Sequence, residues 1–316
     1  MWVTKDGGQN WTNVTENIKK AGLPGFLWVS TIEPGAKVEG RCYVCFDAHR
    51  SDDDKPYLFV TEDYGATWKP IASNLPSFGS TRCLREDITT SDVLYCGTEF
   101  GVWLSINRGE SWANLNNNLP TVAVHEIAQP TTAGELVIAT HGRGIWILDN
   151  ASLRQMKPET LKEPATLFAP ANVIRWQFGP GSFPYSRDVR KFYGTNPPNG
   201  GAIDYLLTVA AKDVQLKVVD VTGKAVREFR SPATGVGFHR VQWQPPRAGA
   251  YRVVLTVDGK ELAQMATVEN DPNAPPGARI TDAPEILGKN NEPKLPRKEY
   301  KEGEVPVVPF IPRGED

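Results

Sequence analysis

Three short segments hold the residues best equipped for chemistry. The first is the loop Asp47-Ala-His49-Arg50-Ser-Asp52-Asp53-Asp54-Lys55, the second Glu99-Phe100, and the third His141-Gly-Arg143. Histidine, arginine and carboxylate side chains together allow proton transfer or recognition of a polar or anionic ligand. Glu99 is a candidate acid. A glycosidase would need a second carboxylate about 5–10 Å away, and Glu126 or Asp47 could supply it. Catalytic work would fall to Glu99, His141 and Arg143, although the last two equally suit bracing of a turn. A binding surface would use His49, Arg50, Phe100, His141 and Arg143. Asp52, Asp53 and Asp54 read as a solvated loop or as hard oxygen ligands for calcium; no other cofactor is implied. A sialidase would need clustered arginines and a tyrosine nucleophile. Arg41, Arg50, Arg82, Arg85 and Arg143 do not assemble into that set by sequence alone. The chain has no Gly-x-Ser-x-Gly, His-Glu-x-x-His or phosphate loop.

The elements that must position these residues announce themselves through a repeated octapeptide. It occurs as Thr4-Lys-Asp6-Gly-Gly8-Gln-Asn-Trp11, Thr61-Glu-Asp63-Tyr-Gly65-Ala-Thr67-Trp68 and Ser105-Ile-Asn107-Arg-Gly109-Glu-Ser111-Trp112. A short acid or amide bonds to backbone N–H groups, the glycine takes a positive φ, and the indole packs in a sheet. Asp6, Gly8, Trp11, Asp63, Gly65, Trp68, Asn107, Gly109 and Trp112 are therefore read as turn-building residues. The segments ending in Trp103 and Trp146 align at an offset of 43 residues, and both indoles read as core. A period of about 40–45 residues fits four short strands per unit.

Predicted strands cover 2–4 and 11–14; 27–32, 41–47, 57–61 and 67–71; 81–87, 93–98, 101–106 and 111–115; and 125–129, 136–140 and 144–148. Residues 1–150 thus form about three blades of a partial, open β-propeller. Connections alternate between the two ends of a blade. The Trp-terminated turns fall at one end, and the three chemically equipped segments share the other. An open ring leaves sheet edges for further blades or another chain to cover.

Residues 151–200 read as a Pro-rich connector. Predicted strands at 203–209, 214–220, 225–229, 237–243, 249–257 and 260–268 suggest a small immunoglobulin-like β-sandwich over 201–270. Residues 271–316 read as an extended or disordered Pro-rich tail.

Composition narrows the function classes. The chain has 316 residues and a formal net charge of −2, without the basic stripe of a nucleic-acid binder. No run reaches the roughly 20 apolar residues of a membrane span, and Met1 leads directly into a strand-like segment with no visible signal peptide. Four cysteines are present. Cys42 and Cys45 point to opposite faces of one strand. Cys83 and Cys96 sit nearly opposite across a turn, where a disulfide is possible; buried free thiols are the alternative.

The octapeptides, with Gly97-Thr-Glu99-Phe100-Gly101 and Thr140-His141-Gly-Arg143-Gly-Ile-Trp146-Ile-Leu-Asp149, resemble the bacterial sortilin-like, Asp-box (BNR) repeat proteins, often labelled glycosyl hydrolases. The resemblance covers about residues 1–270. It implies an all-β propeller fold, a periplasmic or extracellular home, and a protein or glycan ligand. Three functional expectations follow: a non-catalytic binding or scaffold module, the C-terminal part of a glycoside hydrolase, or a subunit of a larger assembly. Family members are longer, so missing N-terminal blades or another chain would complete the ring.

Overall fold

Apolar residues occupy both faces of the central propeller strands, so each sheet must be covered on both sides. In Cys42–Asp47, Tyr43 and Cys45 point one way and Val44 and Phe46 the other, and all four are buried. The computed structural model, which describes residues 1–130, 134–176 and 200–272, satisfies this by stacking sheets face to face.

A two-stranded sheet pairs β1 (Trp2–Val3) with β2 (Thr12–Asn13). The short helix α1 (Thr15–Lys20), which the strand pattern did not predict, follows it and buries Ile18. The next sheet holds β3 (Trp28–Pro34), β4 (Cys42–Asp47), β5 (Tyr57–Thr61) and β6 (Lys69–Pro70) in meander order. Another meander holds β7 (Thr81–Glu86), β8 (Leu94–Thr98), β9 (Gly101–Ser105) and β10 (Ala113–Asn114). The last contains β11 (Val124–Ala128), β12 (Glu135–Thr140) and β13 (Ile145–Asp149). All pairings within these sheets are antiparallel. The inner strand β7 packs against both β3 and β11. This is an all-β partial propeller.

The recurring turns are built from side-chain bonds. Thr61 Oγ1 donates to Asp63 Oδ1 at 2.8 Å and accepts from the Gly65 N–H at 2.8 Å. Asp63 in turn accepts from the Thr67 N–H at 2.8 Å. Ser105, Asn107, Gly109 and Ser111 repeat the pattern, as do Thr4, Asp6, Gly8 and Asn10. Asn10 and Thr4 donors push the exposed Asp6 carboxyl down to about 2. Tyr64 and Gly65, like Arg108 and Gly109, have positive φ, so two consecutive residues make each left-handed corner. The indoles diverge. Trp112 is buried and donates to the Ile71 carbonyl of the preceding sheet at 2.8 Å. Trp68 is half-buried, whereas Trp11 is 56% exposed on the flank of the two-stranded sheet, where no further described sheet covers it.

Two neighbouring blades approach closely at Gly97. A Cβ there would lie 2.5 Å from the Val124 carbonyl oxygen and 2.6 Å from Cys83 Sγ. All four cysteines are free thiols. The disulfide considered for Cys83 and Cys96 does not form, because the turn closes with the Asp87 N–H on the Val93 carbonyl and sets a register one residue away from a direct pairing. Cys83 then pairs with Gly97, and Cys96 with Leu84. Cys83 enters the core between the second and third full sheets, and Cys96 the core on the other side. Burial pushes the Cys83 thiol up to about 12.

Beyond the blades, two sheets share a second core around Ile203, Tyr205, Leu216, Val253 and Leu255. Here β14 (Ala165–Leu167) pairs with β16 (Gly201–Leu207), and β16 with β19 (Gly237–Trp243). The facing sheet runs β15 (Val173–Arg175), β21 (Lys260–Asn270), β20 (Gly249–Val257), β17 (Val214–Asp220) and β18 (Ala225–Phe229). Sequence patterning placed β14 and β15 in the connector. Each is three residues long, too short for alternation to register, and each takes its place from its partner strand. Residues 273–316, read from sequence as a tail, and 177–199 of the connector lie outside the described residues.

The departing chain is locked to the propeller by Asp87, whose side chain is fully buried. Asp87 accepts from Arg154 Nε at 2.8 Å and from the hydroxyls of Thr89 and Tyr95. Asn150 donates to Tyr95 Oη at 3.0 Å. Burial pushes the Asp87 carboxyl up, but Thr89 and Arg154 more than offset this, and it stands below its ordinary value.

Two outcomes test this framework. Gly97→Ala is expected to cost about 1–3 kcal/mol of unfolding free energy in urea titrations, because backbone and a buried thiol obstruct the new methyl. A loss under about 0.5 kcal/mol would show that the seam has slack. Asp87→Asn is expected to cost about 3–5 kcal/mol, since it leaves the nearly buried Arg154 unpaired. The folded Asp87 pKa is depressed, so its stabilisation is present above the unfolded value near 4 and is lost as pH falls through the folded value. Stability of the parent chain should therefore fall more steeply than that of Asp87→Asn below about pH 4. Parallel acid limbs would contradict this role.

Candidate functional site

The three inner strands share one irregularity, and it sets the site. Ladder register shifts between Val29 and Thr31 in β3, between Thr81 and Cys83 in β7, and between Val124 and Glu126 in β11. The bulged residues are Ser30, Arg82 and His125. A bulge releases one residue from ladder pairing and re-aims its side chain. Ser30 Oγ donates to the Thr81 carbonyl at 2.9 Å, tying the first bulge to the next strand.

Arg82 is the hub. Its Nε donates to Glu99 Oε2 at 2.8 Å, and its remaining nitrogens reach Glu99 and Asp47. One guanidinium thus joins the end of β4, the start of β7 and the β8–β9 turn. Beside it, the rings of His125 and His141 meet edge to face, with centroids 5.1 Å apart. Partial burial, then the charges of Arg82 and His141, pull the His125 imidazole below its ordinary value. The neutral ring is the form the site favours at neutral pH.

Exposed aromatic rings flank this polar cluster. Phe78 and Phe100 stack with centroids 5.4 Å apart and planes 16° from parallel. Trp28, 64% exposed, carries the Arg50 guanidinium 5.5 Å above its ring. His49 Nδ1 lies 2.9 Å from Asp54 Oδ1, and that contact raises the His49 pKa. Arg143 is exposed, and its carbonyl accepts from the Trp146 indole at 3.0 Å. Trp103 and Trp146 are both half-buried.

Other residues singled out from the sequence are held apart. Asp53 accepts from the Tyr57 hydroxyl at 2.6 Å and Asp54 faces His49, so Asp52, Asp53 and Asp54 do not converge. Among the described residues no three His, Cys, Asp or Glu side chains form a metal-binding group. The five arginines also disperse. Arg41 is buried against Glu62 and Glu86, Arg50 sits on Trp28, and Arg82 holds Asp47 and Glu99. Arg85 bridges Glu33 at 3.2 Å and Glu126 at 2.5 Å, which places Glu126 in a different ion pair from Glu99. Burial pushes the Glu33 carboxyl up. The Trp-terminated turns lie at the opposite end: the Tyr64 N–H donates to Gly40 of the β3–β4 loop, and that of Arg108 to Asp92 of the β7–β8 loop.

Sequence reasoning missed His125 and the pairing roles of Trp28 and Phe78. A signal for His125 was present: it lies 43 residues after Arg82, the spacing already found between Trp103 and Trp146. Repeat alignment therefore superposes the two bulges.

No family model and no curated protein matches the chain. Among solved structures it is similar to the GH74 enzyme of Niastella koreensis, at 13% identity and a TM-score of 0.32, over 74% of this chain and 30% of that one. It is similar to the GH74 xyloglucanase of Xanthomonas campestris at 14% identity and 0.35, over 89% and 53%. It is also similar to YCF48 bound to D1 peptide at 14% identity and 0.30, over 84% and 74%. The chain thus spans less than two thirds of either GH74 protein. At these scores the architecture rests on the chain's own sheet order.

Proposed function

We propose that the chain is a non-catalytic binding module that recognises a glycan outside the cytoplasm through the Arg82 end of its blades. The observation that carries this reading is the Asp47–Arg82–Glu99 bridge. A glycosidase holds two carboxyl groups on either side of the scissile bond with substrate between them. Here a guanidinium stands between them and joins both. The exposed rings of Trp28, Phe78 and Phe100 supply flat apolar surfaces beside polar groups, which suits the mixed faces of a sugar. The compartment follows from the family resemblance.

The flank carrying Trp2, Trp11, Val29 and Ile32 supports a further part of the reading. These large apolar residues of the first strands are all more than two fifths exposed. A covering blade, from more polypeptide or from a second chain, would bury them as the later sheets bury one another.

The test combines a glycan array with turnover of aryl glycosides. Binding without turnover is expected. Trp28→Ala and Phe100→Ala should each weaken binding about tenfold while leaving the thermal melt in place. Turnover abolished by Glu99→Gln, with the fold intact, would assign hydrolysis instead. A blank array with an intact fold would direct the reading to a protein ligand.

A further inference from the structure

The second β unit holds a groove of 780 Å³ that is separate from the propeller site. It opens between two strands that are each at the edge of their sheet: β18, last after β17, and β19, last after β16. Among the described residues no further strand pairs with either. Edge strands present unpaired N–H and C=O groups, a ready template for an added strand.

Register determines what the groove contains. Arg227 pairs with Val218 and Phe229 with Leu216, both partners being core residues, so Arg227 and Phe229 face inward between the sheets. Glu228 pairs with Lys217 on the outer face and also borders the groove. On the opposite wall, His239 pairs with Tyr205 and Val241 with Ile203, again inward. The Arg227 guanidinium rests 5.6 Å from the Phe229 ring centroid. Arg230 lines the same cavity just beyond the strand end. Neither arginine has an ion-pair partner among the described residues. Arg240, by contrast, is committed to Asp204 and Asp149. His239 Nε2 lies 2.7 Å from the Gly235 carbonyl, and the Tyr205 hydroxyl donates to the Ala233 carbonyl at 2.8 Å. The inward face therefore offers unpaired cations, an aromatic floor and a free backbone edge.

We propose that this edge takes up an acidic extended peptide as an added strand on β18. Residues of the new strand alternate between faces. A carboxylate opposite Arg227 forms a charge-assisted pair within cross-strand reach. Two positions along, an apolar side chain lies over Phe229. The intervening residue meets Glu228 on the outer face, so a third acid there is disfavoured. The recognised pattern is acid–x–apolar with no acid at x.

The probe is a fluorescein-labelled heptapeptide with threonine at odd positions and glutamate, valine and glutamate at even positions. It reads the same in both directions, so either strand polarity presents the pattern. Anisotropy titrations with the full chain should show saturable binding, and a lysine-for-glutamate peptide should not bind. Arg227→Gln should weaken binding about tenfold, and Arg227→Glu should transfer preference to the lysine peptide, with unchanged melting. Methylating the peptide N–H groups that face β18 should abolish binding. Equal binding of the two peptides, parent-like affinity in Arg227→Gln, or no saturable binding at millimolar peptide would each overturn the proposal. So would self-association through this edge that excludes the peptide.

Discussion

The propeller depends on how closely two neighbouring sheets approach at Gly97. Each strand there is apolar on both faces, so stability requires every sheet to find a cover on either side. At the seam between the second and third full sheets, the Val124 carbonyl and the Cys83 thiol occupy the volume that a side chain at position 97 would need. The absence of one Cβ lets β11 lie against β8. Val102, Val124, Ile127 and Leu136 then close into one core with the side chains of the sheet before them. The previous seam uses a different device. The Trp112 indole crosses to the Ile71 carbonyl, so one ring supplies both apolar area and a directional bond.

The second full sheet acts as a central staple. Its inner strand carries Arg82 at the bulge and Arg85 three residues later. Arg82 gathers a carboxylate from the preceding sheet and one from its own; Arg85 reaches Glu33 on one side and Glu126 on the other. These pairs are partly exposed, so their individual contribution to stability is modest. Their consequence is positional. Each fixes three segments of chain through one planar group, and planar forks hold geometry better than point charges. The bulge matters because it lifts Arg82 out of ladder alternation and turns it toward the loops.

Much of this was legible in the sequence, for physical reasons that also mark where legibility ended. The Trp-terminated turns are local: acid, hydroxyl and glycine lie within eight residues and bond to one another, so spacing alone implied the corner. Strands with two apolar faces were equally visible. The Cys83–Cys96 geometry was not, because a turn that closes one residue differently reverses facing along the whole hairpin and leaves no compositional mark. His125 escaped because its neighbour His141 comes from another strand of the sheet. The strands β14 and β15 escaped because three residues cannot display a period. Asp52–Asp54 make a different point: adjacency along the chain does not make side chains converge, and Tyr57 and His49 draw two of the three carboxylates apart.

The junction between the propeller and the second β unit is built as a core. Met156, Phe168 and Leu206 are buried in the same cluster as Leu136 and Ile138 of the last blade. Above them, Arg240 holds both Asp204 and Asp149, while Ser152 donates to Asp204 at 2.5 Å. Asp204 is almost fully buried. Rotating one unit against the other would part Ser152 from Asp204 and Asp149 from Arg240, although Arg240 and Asp204, cross-strand partners in one sheet, would stay paired. It would also open the apolar contact around Phe168. Both costs oppose hinging between Asp149 and Ser152. The last blade and the second β unit therefore meet through one continuous buried apolar cluster.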